Sequence, residues 1–412
     1  MGEWIGAAEA AQRLGVKPAT LYAYVSRGVL RRRRGADGRS SLFDPAEITA
    51  LADRTRPRRP AGTAGFVIES AVTEISDGPL RYRGMEVAQL ALWRPFEDVA
   101  EWLWSGSYRK GGPPPWQATE EAVAAGTAAQ AALPPGTLPL ERLQVIVPAM
   151  AATDRLRRHL DPPAVVAAGR SIIAGLIDCL PSPAPGGPSP APVPVPVGQG
   201  GVAGRLWYKI CGRRPDPGLL GALRAALALL ADYELASSTF AARVTASVRA
   251  DPYAVVSTGL GALGALGGSL GAEGMLALVR EPGDAARVVG DQLRRGERLS
   301  GFGGFGDGVA DPRAALLLDL IRKAAPRSAR YAAAAAVLAE VRRRALPEPN
   351  IDFALAVLGS VAGMIPGAGE AIFAVARTAG WIAHALEEYA SDVPLRPRTV
   401  YTGPLAPAAP VR

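Results

Sequence analysis

The stretch "FAVARTAGWIAHALEE", Phe373 to Glu388, decides the fold class. Alanine, the strongest helix former, fills five of its sixteen positions. The same bias runs along the whole chain. Of 412 residues 49% are apolar, yet only 6% are aromatic. Such alanine- and leucine-rich composition suits helices better than strands, which favour β-branched and aromatic side chains. A mostly all-α protein is expected, long enough for two or three structural units.

The first fifty residues differ in character. Apolar positions from Ile5 to Leu14 fall on a helical period, Gly15 closes that helix, and Val16 to Thr20 turns into a second helix, Leu21 to Ser26. Two short helices joined by a glycine turn make a helix-turn-helix. Arg31 to Arg34, a glycine-containing turn and Arg39 to Phe43 then read as a basic hairpin or wing. Asp44-Pro45 opens a further helix, with Asp as cap and Pro at the first helical position. The basic, proline-punctuated run "RTRPRRPA", Arg54 to Ala61, has no apolar periodicity and reads as a linker.

Charge separates the two parts as well. Residues 1–60 carry twelve Lys or Arg against six Asp or Glu, so +6 of the formal +8 lies in the first module. Such a localised basic patch implies an anionic partner for that module alone. Cys179 and Cys211 have no CxxC spacing, so neither a disulfide framework nor a metal site is expected. Met1 to Ala10 carries Glu3 and Glu9 and lacks the apolar core of a signal peptide. The uncharged stretch from Pro252 to Ala272 is diluted by six glycines and reads as buried helix and loop, with no membrane association expected. A cytoplasmic location is the default. Pro181 to Gly198, "PSPAPGGPSPAPVPVPVG", cannot support a helix interior and reads as an exposed insertion.

Seven blocks in order along residues 66–403 resemble the citrate synthase family. They begin with "ISDGPLRYRG" (Ile75 to Gly84) and "LLADYELASSTFAARV" (Leu229 to Val244). "GGSLGAEG" (Gly267 to Gly274), "GFGGFGDGVADPRA" (Gly301 to Ala314) and "PEPNIDF" (Pro347 to Phe353) follow. The last are "FAVARTAGWIAHALEE" (Phe373 to Glu388) and "RPRTVYTG" (Arg396 to Gly403). In the same way, "AAEAAQRLGVKPATLYAYVSRGVL" resembles the MerR and excisionase type of winged helix. The expected architecture is a winged helix-turn-helix over 1–53, a linker over 54–64, and a citrate synthase fold over 65–403 with large and small helical domains. Residues 404–412 form a tail.

The family resemblance implies a homodimer that condenses acetyl-CoA with oxaloacetate and hydrolyses the thioester to citrate and CoA. That chemistry needs a carboxylate base, hydrogen-bond donors for the enolate and the ketone, and arginines for carboxylates. Asp352 in "PNIDF" matches the base. Arg313, Arg377 and Arg396 match the carboxylate-binding arginines, the last reaching across the dimer, and Tyr233 stands where the family has a substrate-contacting histidine. The two catalytic histidines fall at Gly271 and Gly304. No shift of register supplies them, because the chain contains only His159, read as an exposed helix residue, and His384, read as structural.

Loss of one preorganised donor costs about a hundred- to a thousandfold in rate. An impaired or non-catalytic homologue that binds a carboxylate such as oxaloacetate or citrate is therefore expected. The competing expectation is an active citrate or 2-methylcitrate synthase, or related acyl-CoA condensing enzyme, using Asp352 with Tyr233 or water. Neither needs a cofactor beyond an acyl-CoA substrate. Asp307 would repel a CoA phosphate. For double-stranded DNA the candidate contacts are Lys17, Thr20, Tyr22, Tyr24, Arg27, Arg31 to Arg34 and Arg39. Gly301 to Gly306 satisfies GxGxxG, but no strand precedes it, so a dinucleotide site is not expected.

Overall fold

The computed structural model describes residues 4–14, 21, 24–25, 30–35, 41–45, 47–48, 67–75, 78–108, 115–183, 201–263, 268–303, 310–391, 393–397, 399 and 402. The chain divides into two compact units, Met1–Glu69 and Ser70–Arg412.

In the first unit, strand β1 (Ile5–Gly6) leads into helix α1 (Ala7–Leu14), followed by β2 (Arg32–Arg34) and β3 (Ser41–Phe43). The sheet order is β1-β3-β2, both pairings antiparallel, with Ile5 opposite Phe43 and Arg33 opposite Leu42. Helical periodicity starts two residues late because Ile5 and Gly6 bond to β3 instead, a nonlocal pairing that outweighs local propensity. Ile5, Ala10, Leu21, Leu30, Phe43 and Ile48 form the small core.

The second unit opens with a three-stranded antiparallel sheet, β4 (Thr73–Glu74), β5 (Arg81–Tyr82) and β6 (Met85–Glu86). Its other regular elements among the described residues are helices. In order come α2 (Val87–Trp93), α3 (Phe96–Ser105), α4 (Glu120–Ala128), α5 (Pro139–Thr153), α6 (Pro162–Asp178), α7 (Gly201–Cys211) and α8 (Pro217–Leu230). They are followed by α9 (Ser237–Ser247), α10 (Pro252–Leu263), α11 (Gly268–Leu278), α12 (Ala285–Arg294), α13 (Pro312–Ala324), α14 (Ala329–Arg343), α15 (Ile351–Ala362) and α16 (Ala368–Tyr389).

Asp-Pro dipeptides open α6, α8, α10 and α13. Asp161, Asp216, Asp251 and Asp311 each accept a backbone N–H of the first turn, while proline at the first helical position forfeits a donor that has no partner there anyway. Each such cap contributes about 1 kcal/mol.

α16 is the centre of the unit. It is buried along nearly all of its 22 residues and packs against α3, α5, α6, α8, α9, α10, α11 and α15. A helix buried on nearly every side is a core helix, and Arg377, His384 and Glu388 are buried with it. α10 approaches it through Gly259, where a Cβ would lie 2.6 Å from the Trp381 ring. Among the described residues no single helix is long and apolar enough to cross a membrane. His159 is exposed, but it lies in the turn after α5 and not in a helix.

Candidate active site

The loop Gly301–Gly303 is pinned to the chain just before α15. Asn350 N donates to the Gly301 carbonyl at 2.9 Å, Gly303 N to the Glu348 carbonyl at 2.9 Å, and Asn350 Nδ2 to the Gly303 carbonyl at 3.0 Å. Asn350 also caps α15, accepting from Asp352 N and Phe353 N. Gly301 has φ +84°, and a Cβ there would stand 2.8 Å from Phe353 Cβ. Glycine is therefore required at that position for packing and backbone reasons. This arrangement sets Asp352 in the first turn of α15.

Arg313 begins α13. Its Nε and Nη2 each donate to Asp311 at 2.9 Å, and Asp311 also accepts Ile351 N at 3.1 Å, so one carboxylate ties the starts of α13 and α15 together. The remaining nitrogen, Nη1, is buried and has no partner among the described residues. Its guanidinium lies over the Tyr233 ring, 3.7 Å from the centroid. Tyr233 follows the end of α8, which Tyr82 fixes by donating to the Asp232 and Leu229 carbonyls. The next residue, Glu234, takes a left-handed φ of 51°, a strained conformation for a side chain of this kind.

Arg377 projects from the middle of α16. Its Nε donates to the Leu230 carbonyl at 2.9 Å and it lies over the Phe373 ring, while its buried Nη2 has no partner among the described residues. Arg313 and Arg377 are only 6% and 1% exposed. Two buried guanidinium groups, each with an unused donor, carry a large desolvation cost that an anion would offset.

Burial raises the Asp352 carboxyl above the ordinary aspartate range; Arg313 and Arg377 oppose the rise, and Asp311 adds to it. Asp311 responds the other way. Burial works to raise it, but Arg313, with the backbone donors of Arg313 and Ile351, holds it below its usual value. Burial and the neighbouring Arg313 lower Arg377, against the pull of Asp232.

Arg313 lies over Tyr233, and Arg313 and Arg377 both act electrostatically on Asp352. Gly271 does not join them. A Cβ at Gly271 would meet Ser300, 2.8 Å from its Cβ. The glycine that faces the base is Gly268, where a Cβ would lie 2.8–2.9 Å from the three atoms of the Asp352 carboxylate. In the glycine-rich run Gly259 to Gly274 a three-residue offset leaves no trace in residue type, so the sequence carried no signal to choose between them. Asp311 had a readable signal in Asp-Pro-Arg, as a cap that can also pair with arginine. Gly304 and Asp307 lie outside the described residues. Arg396 is exposed and brings no side chain into this cluster.

His384 has a different setting. It is fully buried, with Nε2 3.2 Å from Asp232 Oδ2 and Nδ1 2.8 Å from Arg243 Nη1, and its hydrogen bonds go to that network and not to Asp352. Among the described residues no cluster of His, Cys, Asp and Glu could hold a metal.

Of the candidate nucleic-acid contacts, Lys17, Thr20, Tyr22, Arg27 and Arg39 lie outside the described residues, as does most of the proline-rich insertion. Tyr24 is only partly exposed and packs against the core of its unit, which removes part of its ring from an outward role. Arg31 is exposed but bonded through Nε to Glu47 at 2.5 Å. Arg32, Arg33 and Arg34 are exposed along β2.

Comparison with protein-family models matches residues 62–398 to the family "Citrate synthase, C-terminal domain". The chain belongs to the citrate synthase family. It is 29% identical to the citrate synthase of Haloferax volcanii over 368 residues, covering 83% of this chain and 95% of that one. It is 33% identical to the putative citrate synthase 2 of Mycobacterium bovis over 361 residues, covering 83% and 92%. The citrate synthase structure from Pyrobaculum aerophilum superposes with a TM-score of 0.66 at 22% identity, covering 92% of this chain and 96% of that one. That from Thermoplasma acidophilum, solved as a ternary complex with carboxymethyl coenzyme A and oxaloacetate, gives 0.65 at 23% identity, covering 84% and 96%. These likenesses establish the citrate synthase fold for the second unit.

Proposed function

We propose that this citrate synthase-family chain binds a carboxylate metabolite such as oxaloacetate or citrate, but catalyses condensation poorly or not at all. One observation carries the reading: the Asp352 carboxylate faces the bare α-carbon of Gly268, while Arg313 and Arg377 keep unused donors beside it. In this reading the missing enol-stabilising histidine belongs at Gly268 and the missing ketone-polarising one at Gly304. A base without those two histidines lacks their hydrogen bonds to the charge it creates, and two such losses cost roughly four to six powers of ten if independent. Arg396 would complete the site from a second copy of the chain, in a homodimer.

The test is thiol release from acetyl-CoA with oxaloacetate. Wild type is expected at background and Gly268→His/Gly304→His above it, once the Asp352 carboxyl swings aside for the new side chain. Robust wild-type turnover that disappears in Asp352→Ala would overturn the reading in favour of an active citrate or 2-methylcitrate synthase. The names of the relatives favour that second reading. Tyr233 is poorly placed to replace an imidazolium, because its ring face is taken by Arg313 and a phenol carries no positive charge.

For the first unit the reading is a winged helix-turn-helix that binds double-stranded DNA through its basic wing, supported by the antiparallel β2–β3 pairing and the exposed Arg32 to Arg34. A dimer would present two such modules, which suits a palindromic site. A mobility-shift titration at low salt is expected to show a retarded complex that weakens steeply with salt; no shift at low salt would rule it out.

A further inference from the structure

The surroundings of Asp352 hold more acid than their arginines can use. Asp311 occupies two of the three guanidinium nitrogens of Arg313. Arg377 has Asp232 as an electrostatic partner. A bound carboxylate would take the free Nη1 of Arg313 and Nη2 of Arg377, since those are the buried donors without partners among the described residues. Both guanidinium groups act on Asp352, and Asp311 ties the start of α15 to Arg313, so Asp352 is left as a second, unpaired carboxylate near them. Its carboxyl lies against Gly268, which offers no side chain, and no side chain among the described residues donates to it. Carboxylate oxygens only accept, so an ionised Asp352 and an ionised ligand repel one another, whereas a protonated Asp352 supplies an O–H donor to the ligand.

We propose that Asp352, facing Gly268 where a donor side chain is missing, serves as a neutral hydrogen-bond donor to the bound carboxylate, so that the site takes up one proton with its ligand. The proton comes from solvent and adds to one Asp352 oxygen; no other bond changes. The inference rests on the carboxylate-site reading above and alters the role of its acid, from base to ligand-binding group. The charged groups facing Asp352 are Arg313 and Asp311 from the start of α13 and Arg377 and Glu370 from α16. Burial, together with Glu273, Asp352 and Glu141, raises Glu370 as well, which makes it the rival site for the proton.

The experiment is calorimetric titration of the full chain with oxaloacetate from pH 5 to 9, each pH in two buffers of different ionisation enthalpy. The expected result is an uptake that approaches one proton per site, with affinity falling roughly tenfold per pH unit on the alkaline side. Asp352→Asn should abolish the uptake and flatten that pH dependence, while Glu370→Gln should keep both. Binding without uptake at every pH, or uptake that survives in Asp352→Asn, overturns this inference alone. Absence of binding at every pH overturns it together with the reading it rests on.

Discussion

Two buried polar clusters share helix α16, two turns apart, and they are built on opposite plans. Around His384 the groups satisfy one another. Arg243 donates to Glu388 and Glu387 at 2.6 Å each and meets His384 Nδ1 at 2.8 Å; His384 Nε2 meets Asp232, which also accepts from Thr73. A single Asp232 oxygen is left over among the described residues. Around Arg377 the plan is open: two arginines keep buried donors unused and the Asp352 carboxyl has no donor among the described residues. Charge is buried in both places, and only pairing tells structure from site. A closed network spends its hydrogen bonds on itself, while an open one holds them for something that arrives later.

The largest effect should come from breaking the closed cluster. Arg243→Met leaves Glu388, itself buried, without its cation, and removing one partner of a buried pair costs about 3–5 kcal/mol. Urea unfolding of the second unit measures this. Arg377→Met tests the other side. It removes one hydrogen bond, to the Leu230 carbonyl, and one of the positive groups near Asp232, which keeps His384 and Thr73, but also a buried charge with an unused donor, so the stability loss should be smaller, about 1–2 kcal/mol. Oxaloacetate binding should instead fall by roughly 2–5 kcal/mol, as when one partner of a buried charge pair is truncated. Equal stability losses in the two variants would erase the distinction between the clusters.

The distinction was partly legible in the sequence, and the limits are physical. Asp352, Arg313 and Arg377 stand out in the sequence through ordered blocks that resemble the citrate synthase family, and acids and arginines keep a recognisable residue type. The Asp-Pro helix starts were readable for the same reason, since cap and proline act within one turn. The position facing the base was not readable. A glycine has no side chain to mark its register, and Gly268 differs from Gly271 only through what lies opposite, Asp352 or Ser300, which no local pattern records. Nor could spacing show that Tyr24 is drawn toward its core or that Arg31 is spent on Glu47, because both depend on contacts made elsewhere in the chain.

The smallest effect is the most specific to the open cluster. Burial holds the folded-state pKa of Asp352 above the ordinary 3.8, so the folded protein binds that proton more tightly than the unfolded chain does. Below pH 3.8 the group is neutral in both states and its contribution is at its most favourable; as pH rises through the folded-state value, that contribution is lost. Asp352→Asn stays neutral throughout, so it should raise the unfolding midpoint relative to wild type at pH 8, with a gain that shrinks as pH is lowered toward 3.8. Scanning calorimetry of both proteins across that range measures the gain. A closed cluster gives the opposite sign: burial would raise Asp232, but His384, Arg377 and Thr73 hold it below 3.8, so its stabilisation persists at neutral pH and is lost only in acid. If Asp352→Asn lowered the midpoint at pH 8, the Asp352 carboxylate would have to be paired in the folded protein, and the cluster around it would be closed after all.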